Sequence, residues 1–103
     1  MFGKILNFKF ISVSEAKLAA SYCSEKFGSK ISEYNIIGLN IFISQTGDLN
    51  VSIKFENPEA LKKFDDNYIS IIADLKESLV FKENNFVGVC TFTYEKEAAI
   101  TEM

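Results

Sequence analysis

The sequence predicts an α+β fold, in which a four-stranded antiparallel sheet carries two helices on one of its faces. Four segments show the two-residue alternation of strands, and two show the spacing of apolar residues that is typical of helices. The segments follow one another as strand, helix, strand, strand, helix, strand. A glycine-containing turn between the two middle strands predicts an antiparallel hairpin there.

The first strand is predicted over residues 4–11, where apolar side chains alternate with a second, more polar set. The first helix is predicted in VSEAKLAASYCSEKFG, with Ser14 as its N-cap and Val13 and Leu18 as a hydrophobic staple. Gly28 suits the left-handed position just beyond the helix end. The small residues of the apolar stripe would let this helix lie close to the sheet, and they are Ala16, Ala19, Ala20 and Cys23.

The middle strands are predicted over residues 34–44 and 48–56, joined by the turn QTGD with Gly47 at positive φ. Asn57 and Pro58 then predict the start of the second helix, as N-cap and first helical residue, and the helix should end near Ser78. The segment KENN, residues 82–85, is predicted to be a loop, followed by a last strand over residues 86–94 and a polar tail over 95–103. This order is the ferredoxin-like βαββαβ arrangement, in which right-handed crossovers place both helices on one face.

The helices are expected to cover one face of the sheet, holding Leu6, Phe8, Phe10, Leu39, Ile41, Ile43, Leu49, Val51, Ile53 and Phe55. The other, open face would hold Ile5, Asn7, Lys9, Ile11, Ile36, Asn40, Phe42, Asn50, Ser52 and Lys54. The last strand adds either its valines and threonines or its aromatic set, and we favour the aromatic set toward the helices. The large apolar groups of the open face are too many for a free surface, and asparagine is a poor strand former. We therefore expect a second copy of the chain to cover this face, leaving a polar centre between the two sheets.

Composition limits the chemistry of this chain, which we expect to form one domain over residues 1–103. It has a net charge of −3 and contains no His, Arg or Trp. These absences exclude histidine-ligated metals and haem, a Ser-His pair and bidentate arginine clamps, so we predict no metal and no cofactor. An acidic chain without Arg also predicts no nucleic-acid partner. No apolar run approaches the ~20 residues of a membrane span, and no signal peptide is recognisable, which predicts a cytoplasmic protein. Cys23 and Cys90 are expected to be buried free thiols.

The segment GLNIFISQTGDLNVSIKFENPEALKKF resembles the dimeric α/β-barrel superfamily, and within it the antibiotic-biosynthesis-monooxygenase-like proteins. The resemblance lies mainly in FENPEALKKF, where Phe55 stands at a position at which the family has an aromatic residue, often Trp. It implies a homodimer whose two sheets form a barrel around a pocket. Some members oxidise aromatic polyketides with O₂ and no cofactor, and active members commonly use an asparagine on the first strand, where this chain has Asn7. They also use Trp, Arg or His elsewhere, and this chain has none of these.

The resulting hypothesis is a cofactor-independent monooxygenase in which Asn7 bonds a substrate phenolate or carbonyl and Lys9 or Lys54 stabilises the anion. The substrate, a small aromatic or apolar molecule, would contact Asn40, Phe42, Asn50 and Ser52. One alternative is a homodimeric module that binds a small metabolite without transforming it, and another is a filled interface with no cavity. RNA binding by this topology would need paired aromatic residues on the central strands and a basic surround, which the open face lacks.

Overall fold

The computed structural model describes residues 1–96 and confirms the ferredoxin-like βαββαβ fold. The elements are β1 (Phe2–Lys9), α1 (Val13–Gly28), β2 (Ile36–Ile43), β3 (Asp48–Phe55), α2 (Pro58–Ser78) and β4 (Lys82–Val89). The strands lie in the order β2-β3-β1-β4, and every neighbouring pair is antiparallel. Neither of the helices in this range is long and apolar enough to cross a bilayer. From residue 97 onward, the predicted polar tail lies outside the described residues.

The core lies between the sheet and the two helices. The side chains that β3 turns toward the helices are all buried, and α1 packs against them through the small residues Ala16, Ala19 and Cys23. Phe64 of α2 is fully buried, and its ring centre lies 5.2–5.6 Å from those of Phe27, Tyr34, Phe55 and Tyr68. This aromatic cluster fixes both helices on one face of the sheet, so neither helix covers the opposite, open face.

The ends of α2 are as predicted, whereas those of α1 differ. The Asn57 side chain accepts the Ala60 N–H at 2.8 Å, Pro58 is the first helical residue, and α2 ends at Ser78. In α1 the N-cap is Ser12, not Ser14, because its hydroxyl accepts the Glu15 N–H at 3.2 Å.

Two further predictions for α1 are wrong. With Ser12 as the cap, Val13 is already helical and Leu18 is exposed, so the two residues do not form a hydrophobic staple. Gly28 is also helical, because Ser29 closes the helix in a right-handed conformation and no left-handed residue is needed.

A β-bulge in β2 corrects the placement of Ile36. The turn QTGD is confirmed, with Gly47 at φ 94°, but β2 begins at Ile36 and carries one extra residue before Gly38. An extra residue reverses the alternation of the side chains that precede it. Ile36 therefore pairs with Phe55 and is buried on the helix-covered face, where the simple alternation had placed it on the open one.

The predictions for β4 are wrong in two respects. The segment KENN is not a loop but the first half of the strand, which pairs along the whole of β1 and ends at Val89 instead of Tyr94. Phe86 pairs with Ile5, so its ring lies on the open face and not toward the helices. Ile11 lies in the bend after β1 and is exposed, so it is not part of the sheet.

Candidate functional site

The register of the sheet brings polar residues of the open face into one row across all four strands. Asn50 of β3 pairs with Phe42 on one side and with Asn7 of β1 on the other. Asn7 in turn pairs with Asn84 of β4. Directly paired residues of antiparallel strands point to the same face and lie within contact distance, so the row is a continuous strip of one aromatic ring and three amides.

Hydrogen bonds join the amides of this row into a chain. The Ser52 hydroxyl donates to Asn50 Oδ1 at 2.8 Å, and Asn50 Nδ2 donates to Asn7 Oδ1, also at 2.8 Å. Asn7 Nδ2 then donates to Asn84 Oδ1 at 3.2 Å. Asn7 is the central member, since it both accepts from β3 and donates to β4. We call this Ser52–Asn50–Asn7–Asn84 series the amide chain.

The amide chain forms the floor of a groove with a volume of about 540 Å³. This volume is within the range of roughly 300–1,000 Å³ that small-molecule sites occupy. Phe42 provides an apolar wall on β2, and Lys82 and Asn84 lie at the β4 side. Residues 1–96 leave the groove open to solvent, so a ligand bound there would need further cover to be enclosed.

Lys9 lies in the groove but is held toward the hairpin turn. Its ammonium is 3.2 Å from Asp48 Oδ1 and 3.3 Å from the carbonyl oxygen of Thr46. The hydroxyls of Thr46 and Ser44 both donate to Asp48 Oδ2 at 3.0 Å. The Thr46 hydrogen bond, followed by that of Lys9, holds the pKa of the Asp48 carboxyl below its ordinary value. Lys9 is therefore already paired with a carboxylate that stays ionised.

Lys54 and Ser52 line a second hollow of about 280 Å³, next to the groove on the same face. Lys54 extends toward the segment after β4, where its ammonium lies 3.2 Å from Thr93 Oγ1 and 3.5 Å from Glu95 Oε2. The structure thus brings Asn7, Lys9, Phe42 and Asn50 together in the groove, and Ser52 joins them through its hydrogen bond. Lys54 is not in the groove, and Asn40 is exposed on β2 and lines neither cavity.

Two residues of the groove, Asn84 and Lys82, were missed in the sequence. No local signal marks these two residues, because the segment KENN is polar throughout and shows no alternation of apolar and polar side chains. The low strand propensity of asparagine also favoured a loop. The contact of Asn84 with Asn7 depends on the pairing of residues 77 positions apart, which local sequence does not specify.

The acidic and thiol groups of residues 1–96 do not form a metal centre. Within that range no three His, Cys, Asp or Glu side chains lie close enough together to hold an ion. The polar groups that line the groove are amides, ammonium groups and the Asp48 carboxylate, beside the Phe42 ring.

Comparison with known proteins gives matches only at the level of structure. No protein-family model matches the chain, and no curated protein matches its sequence. A dimeric ferredoxin-like protein from an uncultured marine organism is 21% identical with a TM-score of 0.71, covering 92% of this chain and 98% of that one. A Deinococcus radiodurans protein, provisionally named an antibiotic biosynthesis monooxygenase, is 16% identical with a TM-score of 0.65, covering 100% and 99%.

A further solved structure, an antibiotic biosynthesis monooxygenase, is 10% identical with a TM-score of 0.62, covering 88% of this chain and 99% of that one. Identities this low show a shared fold and nothing finer. The chain therefore has the fold of the dimeric ferredoxin-like proteins and of the antibiotic biosynthesis monooxygenases, as the resemblance in its sequence predicts.

Proposed function

We propose that the chain works in the cytoplasm as a homodimer, whose two open faces enclose a chamber for small aromatic or apolar molecules. Phe42 and Phe86 support this, since each is 62% exposed on the open face of the single chain. Ile5 of β1, which is half-buried and pairs with Phe86, extends the same apolar surface. Exposed apolar surface of this kind marks interaction sites, and structural neighbours of the chain are themselves described as dimeric.

The proposed activity is cofactor-independent oxygenation of an electron-rich aromatic compound, such as an anthrone or a quinol. With an anthrone, removal of a proton from the ring CH₂ group gives an anion that O₂ can oxidise. One oxygen atom enters as a carbonyl and the other leaves as water, so the CH₂ group supplies both hydrogens and all four electrons. The chain's part is to bind the substrate, stabilise its anion and exclude bulk water.

Asn7 carries this proposal, because it is the centre of the amide chain on the floor of the groove. Among residues 1–96 its second amide hydrogen makes no hydrogen bond, so it would donate to the substrate oxygen, on which the negative charge develops. Phe42 offers a flat apolar surface to the aromatic rings. The charge of Lys9 is offset by Asp48 in the free chain, so Lys9 would stabilise the anion only on leaving that ion pair. Lys54 and Asn40 lie outside the groove of one subunit, so any contact of theirs with the substrate would have to be made across the dimer.

Oxygen uptake tests the activity. With an anthrone as substrate, Asn7→Ala should lower the uptake rate at least ~10²-fold, by analogy with loss of an oxyanion donor. Asn67→Ala is the matched control, because Asn67 is an exposed asparagine of α2 whose side chain, among residues 1–96, bonds only the Lys63 carbonyl. Equal rates for wild type and Asn7→Ala, or no uptake with any anthrone or quinol, would contradict the proposal. A ligand that binds and is recovered unchanged would favour the non-catalytic binding module.

Solution mass tests the dimer. Phe42→Asp places a charge within the proposed interface and should shift the protein from dimer to monomer at micromolar concentration. Ile69→Asp is the control, because Ile69 is similarly exposed, at 58%, but lies on α2. A wild-type monomer in sedimentation equilibrium, or a dimer that survives Phe42→Asp, would refute the proposed interface.

A further inference from the structure

The hydrogen bonds of the amide chain all run in one direction, from β3 toward β4. Ser52 donates to Asn50, Asn50 to Asn7 and Asn7 to Asn84, so each carbonyl oxygen faces back along the chain. Hydrogen bonds aligned head to tail polarise one another. The donor end of the chain is consequently the NH₂ group of Asn84, which makes no hydrogen bond among residues 1–96.

The charges around this donor end leave one ammonium group unpaired. Asp48, the carboxylate on this face of the groove, lies 3.2 Å from the Lys9 ammonium. Glu83 pairs with Phe8 and so points to the helix-covered face, where it lies 2.8 Å from the Lys76 ammonium. Lys82 stands two residues before Asn84 on the same face of β4 and forms no ion pair among the described residues. An NH₂ donor and an unpaired ammonium group therefore lie side by side at one end of the groove.

The opposite end of the groove is apolar. Phe42 lies in the same cross-strand row as Asn84, three strand spacings away on β2, which is about 14 Å between backbones. A flat molecule of two or three fused rings can reach from one end to the other. Such a molecule would place its rings against Phe42 and its polar atom at Asn84.

From this polarity we infer that Asn84 and Lys82 form an oxyanion-binding site, which takes the phenolate or enolate oxygen of an aromatic ligand. The ligand class is thus an aromatic anion, bound with its charged oxygen at β4 and its ring system toward β2. The inference rests on the proposed small-molecule site, but it requires neither the oxygenation reaction nor a particular substrate. It assigns direct ligand contacts to two residues of β4, and Asn7 then also orients Asn84 through their hydrogen bond.

A nitrophenol is a suitable probe, because it ionises near neutral pH and its anion absorbs visible light. On binding to wild-type protein, its pKa should fall by at least one unit, which corresponds to a tenfold preference for the anion. The corresponding nitroanisole, which cannot ionise, should bind at least tenfold more weakly than the nitrophenolate. An amide chain running the opposite way would present the Asn84 oxygen and would raise the pKa of the bound nitrophenol.

Three variants locate the effect. Asn84→Asp keeps the acceptor that faces Asn7 and removes the terminal donor, so the preference for the anion should be lost. Lys82→Met should reduce this preference several-fold without disturbing the amide chain, whereas Lys17→Met, which removes an exposed charge of α1, should leave it unchanged. An unshifted nitrophenol pKa in wild type, or full anion preference in Asn84→Asp and Lys82→Met, would overturn the inference. Anion preference without oxygen uptake from anthrones would support the site and reject the proposed reaction.

Discussion

Lys4 is a charged residue in the core. Its ion pair predicts which of three substitutions lowers the free energy of unfolding most. The side chain extends from β1 toward the helices, and the residue is only 3% exposed. Its ammonium lies 2.8 Å from Asp65 Oδ1 on α2 and 4.5 Å from the centre of the Tyr68 ring. Asp65→Ala would leave this ammonium buried with the aromatic ring as its remaining partner.

Removing one partner of a buried ion pair costs about 3–5 kcal/mol. The Asp65 side chain is 37% exposed, so water reaches the pair and the expected loss is smaller, about 2–3 kcal/mol. Lys4→Met removes the buried charge instead and keeps an unbranched chain against Tyr68, so it should change the free energy of unfolding by less than ~1 kcal/mol. The smaller change should therefore come from replacing the more deeply buried residue.

Urea unfolding followed by circular dichroism, at one fixed protein concentration, measures these differences. Asp66→Ala is the matched control, because it makes the same substitution one position along α2 and breaks only the exposed pair with Lys62 at 3.8 Å. It should cost no more than ~0.5 kcal/mol. The reasoning fails if Asp65→Ala and Asp66→Ala cost the same, or if Lys4→Met costs more than Asp65→Ala.

Two glycines and two cysteines give further predictions. Gly47→Ala should cost about 1–3 kcal/mol, because its φ is 94° and a Cβ would lie 2.9 Å from the Phe10 carbonyl oxygen. Gly28→Ala should stabilise by about 0.5–1 kcal/mol, since a helical Cβ there meets nothing within 4 Å. Urea midpoints that moved in the same direction for both would contradict this. Burial raises the pKa of the Cys23 thiol to about 11. The Cys90→Ser variant leaves Cys23 as the thiol to be followed. An aromatic disulfide reagent at pH 8 should label it at least ~100-fold more slowly than a peptide thiol. Rapid labelling without urea would show that Cys23 is accessible.

The hairpin and the second helix could be predicted from the sequence because local chemistry decides them. Gly47 takes a backbone conformation that few other residues tolerate, and Asn57 and Pro58 satisfy a helix start with their own atoms. Their structure depends on neighbours within a few positions along the chain. Such signals survive in a single sequence.

The bulge at Ile36 and the strand at residues 82–85 depend on distant partners instead. The extra residue in β2 is recognised only from its pairing with β3. Ile36 pairs with Phe55 and Gly38 with Lys54, so residue 37 has no partner of its own. The early part of β4 forms a strand because it can pair with β1 along the whole length of β1. The row of open-face asparagines was partly predictable, since Asn7 and Asn50 stood out as poor strand formers. Their joining through Asn84 was not, because it requires the register of three strands.

Stability alone does not account for the amide chain. Strand propensities span about 1 kcal/mol, so three asparagines in strands cost up to about 3 kcal/mol relative to good strand formers. Each hydrogen bond between them contributes a net ~0.5–1.5 kcal/mol, and less where water competes, as it does in the open groove. The two sums nearly cancel, so a row of threonines and valines would make a sheet of about the same stability. What the asparagines add is a line of oriented donors and acceptors, whose strength increases when water is removed. Such a line has an effect only when something covers it, which is the physical reason to look for both a ligand and a second subunit on this face.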